Sequence, residues 1–370
     1  MELSKNKCIK NEDGEVKTTI NSSLLSRLLG RDLSINCLIR CSRFDYATLA
    51  LLNRSFRSLI KSGLLYRLRR KASIIKHWIY YSYNPLEWEA FDPNGCHWMR
   101  LPMMPSNECF MCSDKESLAV GTELLVFGRD ILSPIIYKYN ILTNIWSSSM
   151  TMNTHRCLFA SASLREIAII AGGCDPLGNI LDSAEVYNSE TGRFENLPSM
   201  NKARKMCSGF FMDGKFYVIG GVDQDMMQLA CGEEFDPLTR TWRVISNMFP
   251  RKIDELVNGT SHATMAPPLV AVVNNILYAA DYEEQVVKRY DKEQNSWLNI
   301  GGLPERVAAI NGWGLAFKAC GDILIFIGGV HGRMIEVYSC IPDEEGSLQW
   351  NLLASRQSGN FVYNCTVMGC

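Results

Sequence analysis

The stretch Ile167-Ala-Ile-Ile-Ala171-Gly172-Gly173, with Glu185-Val-Tyr187, Asn188-Ser-Glu-Thr-Gly192 and Phe194 behind it, decides the fold. A short apolar run ends at a small pair, and a second run carries a tyrosine. A turn follows, and another aromatic opens the next strand. The order recurs. Apolar runs end at small residues in Leu124–Phe127 before Gly128, Phe216–Ile219 before Gly220-Gly221, Ile276–Tyr278 before Ala279-Ala280, and Ile323–Ile327 before Gly328-Gly329. Aromatic pairs seven residues apart are Phe91/Trp98, Tyr139/Trp146, Tyr187/Phe194, Phe235/Trp242 and Tyr290/Trp297; Tyr338/Trp350 is a stretched copy. Their first members lie 48, 48, 48, 55 and 48 residues apart.

A fixed period near fifty residues means one supersecondary unit copied several times. Four short antiparallel strands per unit form a sheet that cannot bury both faces alone, whereas radial packing of several sheets buries them against one another. Glycines at the strand end permit tight backbone geometry, and aromatics fill the widening gap between sheets. Leu-Pro-like exits follow at Leu101-Pro102, Leu197-Pro198, Phe249-Pro250 and Leu303-Pro304. Six aromatic pairs stand against five small pairs. The first aromatic pair is preceded by one candidate strand, Trp78–Tyr83, and one strand remains past Trp350, Phe361–Met368. The expectation is a mainly β chain: a six-bladed propeller over 75–370, with the last strand, about 361–368, closing the first blade.

Ahead of it the pattern is helical from about 26 to 72: Leu33, Cys37, Leu38 and Cys41, then Leu49, Leu52, Phe56, Leu59 and Ile60, then Leu64, Leu65 and Leu68 recur at three-to-four spacing. Fewer than fifty residues of short helices make a thin core, which often needs a partner surface to cover it. Residues 1–25 are polar and without period, and read as a disordered tail.

Hydrophobic content is 47% and charged content 21%, as in soluble globular chains. The net charge of −1 hides an asymmetry. Residues 1–80 hold sixteen Lys/Arg against six Asp/Glu, and the rest holds 22 against 33, so a basic head precedes an acidic body. No apolar run is long enough to span a membrane, and the N-terminus lacks a signal-peptide core. Fourteen cysteines then read as reduced thiols of an intracellular protein, cytoplasmic or nuclear, with the sequons at Asn21, Asn53, Asn258 and Asn364 idle.

The repeat resembles the kelch motif. The helical head resembles an F-box in Gly30-Arg-Asp-Leu-Ser-Ile-Asn-Cys-Leu38, Asp45-Tyr-Ala-Thr-Leu-Ala-Leu-Leu-Asn-Arg54 and Phe56-Arg-Ser-Leu59. With Trp88-Glu-Ala-Phe-Asp92 and Pro105–Glu116, nearly the whole chain is similar to the plant F-box/kelch-repeat proteins. The resemblance implies a substrate receptor of an SCF-type ubiquitin ligase. The F-box would hold a Skp-type adaptor, and through it a cullin, while the propeller would hold the protein to be modified. It implies no chemistry by the receptor itself, no cofactor and no metal; the effect is proximity. F-boxes commonly carry prolines where this chain has Gly30 and Cys41-Ser42. That leaves a second reading open, a kelch scaffold whose head has lost the adaptor.

Leu33, Cys37, Leu38, Leu49, Leu52 and Phe56 are the candidate adaptor-binding positions, some docking the adaptor and others holding the helices together. For the target, kelch propellers use loops after the small pair, here Arg129, Asp130, Asp175, Asp223, Asp225, Asp281, His331 and Arg333. They also use residues leading into the innermost strand, here Asn107, His155, Arg156, Arg204, Lys205, His262 and Trp313. Mixed charge with Trp and Arg suits a protein partner. The longer segment around Arg251–Ser261 either adds selectivity or is a tolerated insertion.

Other motifs carry less. Arg67-Leu-Arg-Arg-Lys71 reads as a nuclear-localisation patch or a solvated helix face; without interleaved aromatics it is no nucleic-acid site. Cys109-Phe-Met-Cys112 lacks the second pair a zinc set needs. Gly172-Gly173 and Gly301-Gly302 lack the following helix of a phosphate loop. Glu233-Glu234 and Glu283-Glu284 are neighbours on alternate faces, not acid/base couples. A propeller oxidase would need convergent His, Cys and Tyr ligands, which five scattered histidines do not suggest.

Overall fold

The computed structural model describes residues 30–106, 110–111, 115–130, 133–249, 266–304, 312–330, 334–342, 348–357 and 361–369. The tail expected over 1–25 lies outside them, as does the segment Arg251–Ser261. Two compact units divide between Ile74 and Ile75.

The first unit holds α1 (Gly30–Leu38), a 3-10 turn (Arg43–Asp45), α2 (Tyr46–Leu52), α3 (Arg54–Lys61) and α4 (Leu64–Lys71). Ser42 and Asp45 form a capping box: the Ser42 hydroxyl accepts the Phe44 N–H at 3.3 Å, and Asp45 accepts the Ser42 N–H at 3.2 Å. A hydrogen-bonded cap therefore starts the turn where proline would preset it. Leu38, Ile39, Tyr46, Leu59, Ile60, Leu65 and Tyr66 are the core. Arg69 is fully buried with them, donating to the Cys41 carbonyl at 2.9 Å, the Ile74 carbonyl at 3.3 Å and the Tyr46 hydroxyl at 3.3 Å. The basic run 67–71 is thus not one solvated face: its middle arginine ties the chain before α2 to the end of α4.

The second unit is a six-bladed β-propeller of four-stranded sheets. The first blade has β1 (His77–Asn84), β2 (Glu87–Asp92) and β3 (His97–Arg100). The second has β4 (Ser117–Val120), β5 (Glu123–Arg129), β6 (Pro134–Asn140) and β7 (Ile145–Met150). In the third are β8 (Ala160–Leu164), β9 (Ile167–Ala171), β10 (Ala184–Asn188) and β11 (Arg193–Leu197). The fourth has β12 (Lys205–Met212), β13 (Lys215–Val222), β14 (Gly232–Asp236) and β15 (Thr241–Ile245). Then come β16 (Leu269–Val273), β17 (Ile276–Asp281), β18 (Val286–Asp291) and β19 (Ser296–Gly302). The sixth blade is β20 (Ala316–Cys320), β21 (Ile323–Val330), β22 (Met334–Cys340) and β23 (Asn351–Gln357). The final strand, β24 (Asn364–Gly369), returns to pair antiparallel with β1, from His77↔Gly369 to Ser82↔Asn364. The innermost strands β4, β8, β12, β16, β20 and β24 touch in that order around a closed ring.

Five aromatic pairs are cross-strand neighbours on the third and fourth strands of their blades: Phe91↔Trp98, Tyr139↔Trp146, Tyr187↔Phe194, Phe235↔Trp242 and Tyr290↔Trp297. Their ring centroids lie 4.4–5.3 Å apart. The stretched sixth pair is not a directly opposed cross-strand pair, though Tyr338 and Trp350 pack in the same apolar cluster. A register shift between Val337 and Tyr338 sets Tyr338 opposite Leu352. Trp350 falls just ahead of β23, where its ring meets Phe326 at 6.1 Å.

The exits join the blades. Trp146 Nε1 donates to the Pro102 carbonyl at 2.8 Å, Trp242 to Pro198 at 2.7 Å, Trp297 to Met248 at 2.8 Å and Trp350 to Gly302 at 2.9 Å. Each tryptophan thereby latches its blade to the chain leaving the blade before it.

Candidate functional site

In every sheet the first and second strands are antiparallel. The start of the innermost strand therefore lies beside the loop that follows the second strand, and the ring gathers these two groups at one end of the sheets. Cys157, just ahead of β8, bridges to Cys174, just past β9. Met111 likewise bridges to Arg129. Gly172 and Gly173 have φ of +70° and +90°, and a Cβ there would lie 2.5 Å from the Arg204 and Cys157 carbonyls. Only glycine lets the loop turn so close to these neighbouring backbones.

The candidate target residues divide by what holds them. Arg156 and Arg204, expected on the rim, are buried in the blades. Arg156 reaches the Gly172 and Ser183 carbonyls at 3.0 and 2.7 Å and Glu185 at 2.8 Å. Arg204 repeats this with Gly220 and Cys231 at 3.2 and 2.9 Å and Glu233 at 2.9 Å. Each glutamate also accepts two backbone N–H groups, of Asn153 and Thr154 or of Asn201 and Lys202, at 2.7–3.0 Å. These pairs hold the lead-in to one innermost strand against the third strand of the same blade. Taking one partner away would leave an uncompensated buried charge, a loss of about 3–5 kcal/mol. Both pairs have the same 29-residue spacing and recur at the 48-residue period, a regularity that becomes readable as structural once the strand pairing is known.

The aspartates hold their own loops. Asp130 accepts the Ser133 N–H at 2.9 Å. Asp175 accepts those of Leu177 and Asn179, both at 2.9 Å. Asp223 accepts those of Asp225 and Met227 at 3.1 and 2.9 Å. Asp281 takes Glu283 and Glu284 at 3.2 Å and pairs with Lys288 at 3.0 Å. Hydrogen bonds from Asn179 and its loop hold the Asp175 carboxyl below the usual range. Arg129 and Asp225 are exposed, and His155 and Lys205 half-buried. Lys115 Nζ sits 5.3 Å from the centre of the half-buried Trp313 ring and donates to the Gly312 carbonyl at 2.9 Å. Asn107, His262, His331, Arg333, Cys109 and Cys112 lie outside the described residues.

Between the innermost strands is a cavity of about 380 Å³, to which Ser117, Ser161, Ser208, Lys318 and Thr366 contribute polar groups. Burial pushes the Lys318 ammonium below its ordinary value. Among the described residues no helix is long and apolar enough to cross a membrane.

On the helical unit the six apolar candidates separate. Leu38 is buried in the core, and Leu49 and Phe56 are half-buried. Cys37 is exposed, and Leu33 and Leu52 are 57% and 64% exposed. Two further apolar side chains, Phe44 and Leu51, stand 48% and 75% exposed. Periodicity had passed over both, because Phe44 sits in the 3-10 turn and Leu51 off the helical stripe.

A six-bladed propeller with buried Arg–Glu pairs in successive repeats, preceded in the chain by a small helical unit, defines a kelch-type propeller protein with an F-box-like head. Residues 155–201 and 203–249 each match the family model of the Kelch motif. The chain is 57% identical over 360 residues to F-box/kelch-repeat protein At1g74510 of Arabidopsis thaliana, across 94% of this chain and 80% of that protein. To F-box/kelch-repeat protein SKIP11 of the same plant it is 58% identical over 355 residues, across 95% and 76%. F-box/kelch-repeat protein At3g27150 is 35% identical over 351 residues, across 91% and 82%. This chain belongs to the F-box/kelch-repeat family.

Proposed function

We propose that the chain is the substrate-recognition subunit of an SCF-type ubiquitin ligase, acting in the cytoplasm or nucleus without chemistry of its own. The helical unit binds a Skp-type adaptor and the propeller holds the target. The observation that carries this is the exposure of Leu33, Phe44, Leu51 and Leu52 on a unit whose described residues form four short α-helices. Four large apolar side chains in water on so small a unit suit a surface that a protein partner covers. Membership of the family supports the same reading. The target surface is the loop end of the propeller, presenting Arg129, His155, Lys205 and Asp225, with Trp313 and Lys115 among them.

Capture of a recombinant Skp-type adaptor by the full chain tests this. Leu33→Ala with Leu52→Ala should weaken capture at least about tenfold, since a truncated interface anchor costs about 2 kcal/mol or more. Both side chains are exposed, so melting should be unchanged. Leu38→Ala would unfold the unit instead and is unsuitable. Adaptor capture undiminished by the double change removes this surface from the reading. No capture by the unaltered chain leaves a kelch scaffold in its place.

A further inference from the structure

We infer that Cys157 and Cys174 are a reversible oxidation site, a dithiol built to close into a disulfide at the loop end of the third blade. Their Sγ atoms lie 3.4 Å apart. Each backbone N–H donates to the other's carbonyl, Cys157 to Cys174 at 2.9 Å and Cys174 to Cys157 at 2.8 Å. Such a hydrogen-bonded antiparallel pair has its Cα atoms about 5.5 Å apart, within the roughly 4.4–6.8 Å that a disulfide spans. The backbone therefore needs no rearrangement, only a side-chain rotation that brings the sulfurs together. Gly173, held at φ +90° with its α-carbon against the Cys157 carbonyl, fixes the approach.

The surrounding charges are unequal. The hydrogen bond with Cys174 and burial push the Cys157 thiol up, and the Glu116 carboxylate adds to them against the weaker pull of Arg129. Cys174 shares an S–H···S hydrogen bond with Cys157 and faces the Lys205 ammonium, which together outweigh burial and the Asp175 carboxylate, so its thiol is pulled down. Cys174 is thus the thiolate and Cys157 the resolving thiol. Cys174 is buried and Cys157 partly open, which restricts the oxidant to one about the size of water, and hydrogen peroxide meets that requirement.

The chemistry balances with peroxide alone. The Cys174 thiolate attacks one peroxide oxygen, the O–O bond breaks, and hydroxide leaves to be protonated to water. Cys174 is now a sulfenic acid. The Cys157 sulfur attacks it, the S–O bond breaks, a second water leaves with the Cys157 proton, and the S–S bond forms. Two thiols lose two electrons to one peroxide. Closure would tie the lead-in of β8, with His155, to the loop that Asp175 holds. The oxidation itself stands without the receptor reading; only its consequence for target binding rests on that reading.

The full reduced chain, freed of reductant, should be treated with hydrogen peroxide at pH 7, quenched by alkylation, digested and weighed. The expected product is one linked peptide pair carrying Cys157 and Cys174, lighter by two hydrogens, with two alkylatable thiols lost and both regained with dithiothreitol. Cys207 and Cys365, buried and with their thiols pushed up to about 11 and about 12 by that burial, should stay reduced. In Cys157→Ser the link should vanish, and the Cys174 peptide should instead gain the mass of oxygen. Far-ultraviolet circular dichroism checks that the variant is folded. Two outcomes overturn the inference: both thiols recovered intact at a dose that oxidises free cysteine, or Cys174 carried to sulfinic acid with no link formed. If the link forms and target capture is unchanged, the site stands and the receptor face lies elsewhere.

Discussion

Glu234 concentrates three donors on one carboxylate: Lys215 Nζ and Tyr217 Oη each at 2.7 Å and Arg243 Nη2 at 3.1 Å. Burial pushes its carboxyl up, but the three hydrogen bonds outweigh burial and leave it below its ordinary 4.5. A folded-state value below the unfolded one means stability that is present above about pH 4.5 and is lost as pH falls through the folded value. Glu234→Gln should therefore be less stable than the parent at pH 7, with a smaller gap at an acid pH below 4.5. Denaturant unfolding at both pH values measures it, and a gap independent of pH would refute the assignment. The neighbour Glu233 points the other way, to Arg204. That alternation was legible from adjacency on a strand. The partners were not, because Lys215 and Tyr217 come from another strand and Arg204 from the lead-in to β12, and only the pairing of strands brings them there. Arg156 and Arg204 show the same limit. Position in the repeat places them at the loop end, and only the fold shows that a glutamate 29 residues on draws them inside.

At the scale of elements, the aromatic spacing was readable because a seven-residue hairpin puts its two aromatics directly opposite each other. What the spacing did not contain is the bond to the previous blade. Trp146, Trp242, Trp297 and Trp350 each reach back 44–49 residues to an exit carbonyl, and the prolines in those exits are the outward sign of it. Trp350 keeps this latch although its cross-strand partner is lost to the bulge before Tyr338. The latch, more than the pair, is thus what the repeat retains in its sixth copy. In the third blade Phe194 stands in the tryptophan's place and has no N–H to give. Trp146→Phe isolates the latch, since it keeps an aromatic beside Tyr139 and removes one N–H···O bond. It should lower stability by about 1 kcal/mol, read from the midpoint of denaturant unfolding at unchanged slope. An unchanged midpoint would show that the bond adds nothing beyond what water supplies.

For the whole propeller, the surplus of one aromatic pair over the small-residue pairs carries more information than any single motif, because a ring has to close and an incomplete first blade has to be completed from elsewhere. The strand that completes it is short, yet it is tied on both sides. Tyr363 N–H donates to the Ser82 carbonyl at 2.9 Å, and Thr366 Oγ1 accepts the Ala119 N–H of the second blade at 3.0 Å. Val362 and Cys365 sit in one apolar cluster with Ile79, Tyr81 and Phe91 of the first blade and Ile325, Ile327 and Val337 of the sixth. Deleting residues 360–370 removes these buried side chains together. Emptying each large buried site costs about 2–5 kcal/mol, so the sum approaches the roughly 5–15 kcal/mol that holds a domain folded. The deletion also strips β1 of its partner and exposes an unpaired strand edge, the feature that templates association between chains. The expected result is a chain that no longer melts cooperatively and that sediments as aggregate. Supplying the missing strand as a separate peptide should restore part of the transition, because the register with β1 is specified by side chains on both faces. A truncated chain that stays monomeric and melts as before would mean that the ring is held by its blade-to-blade latches alone.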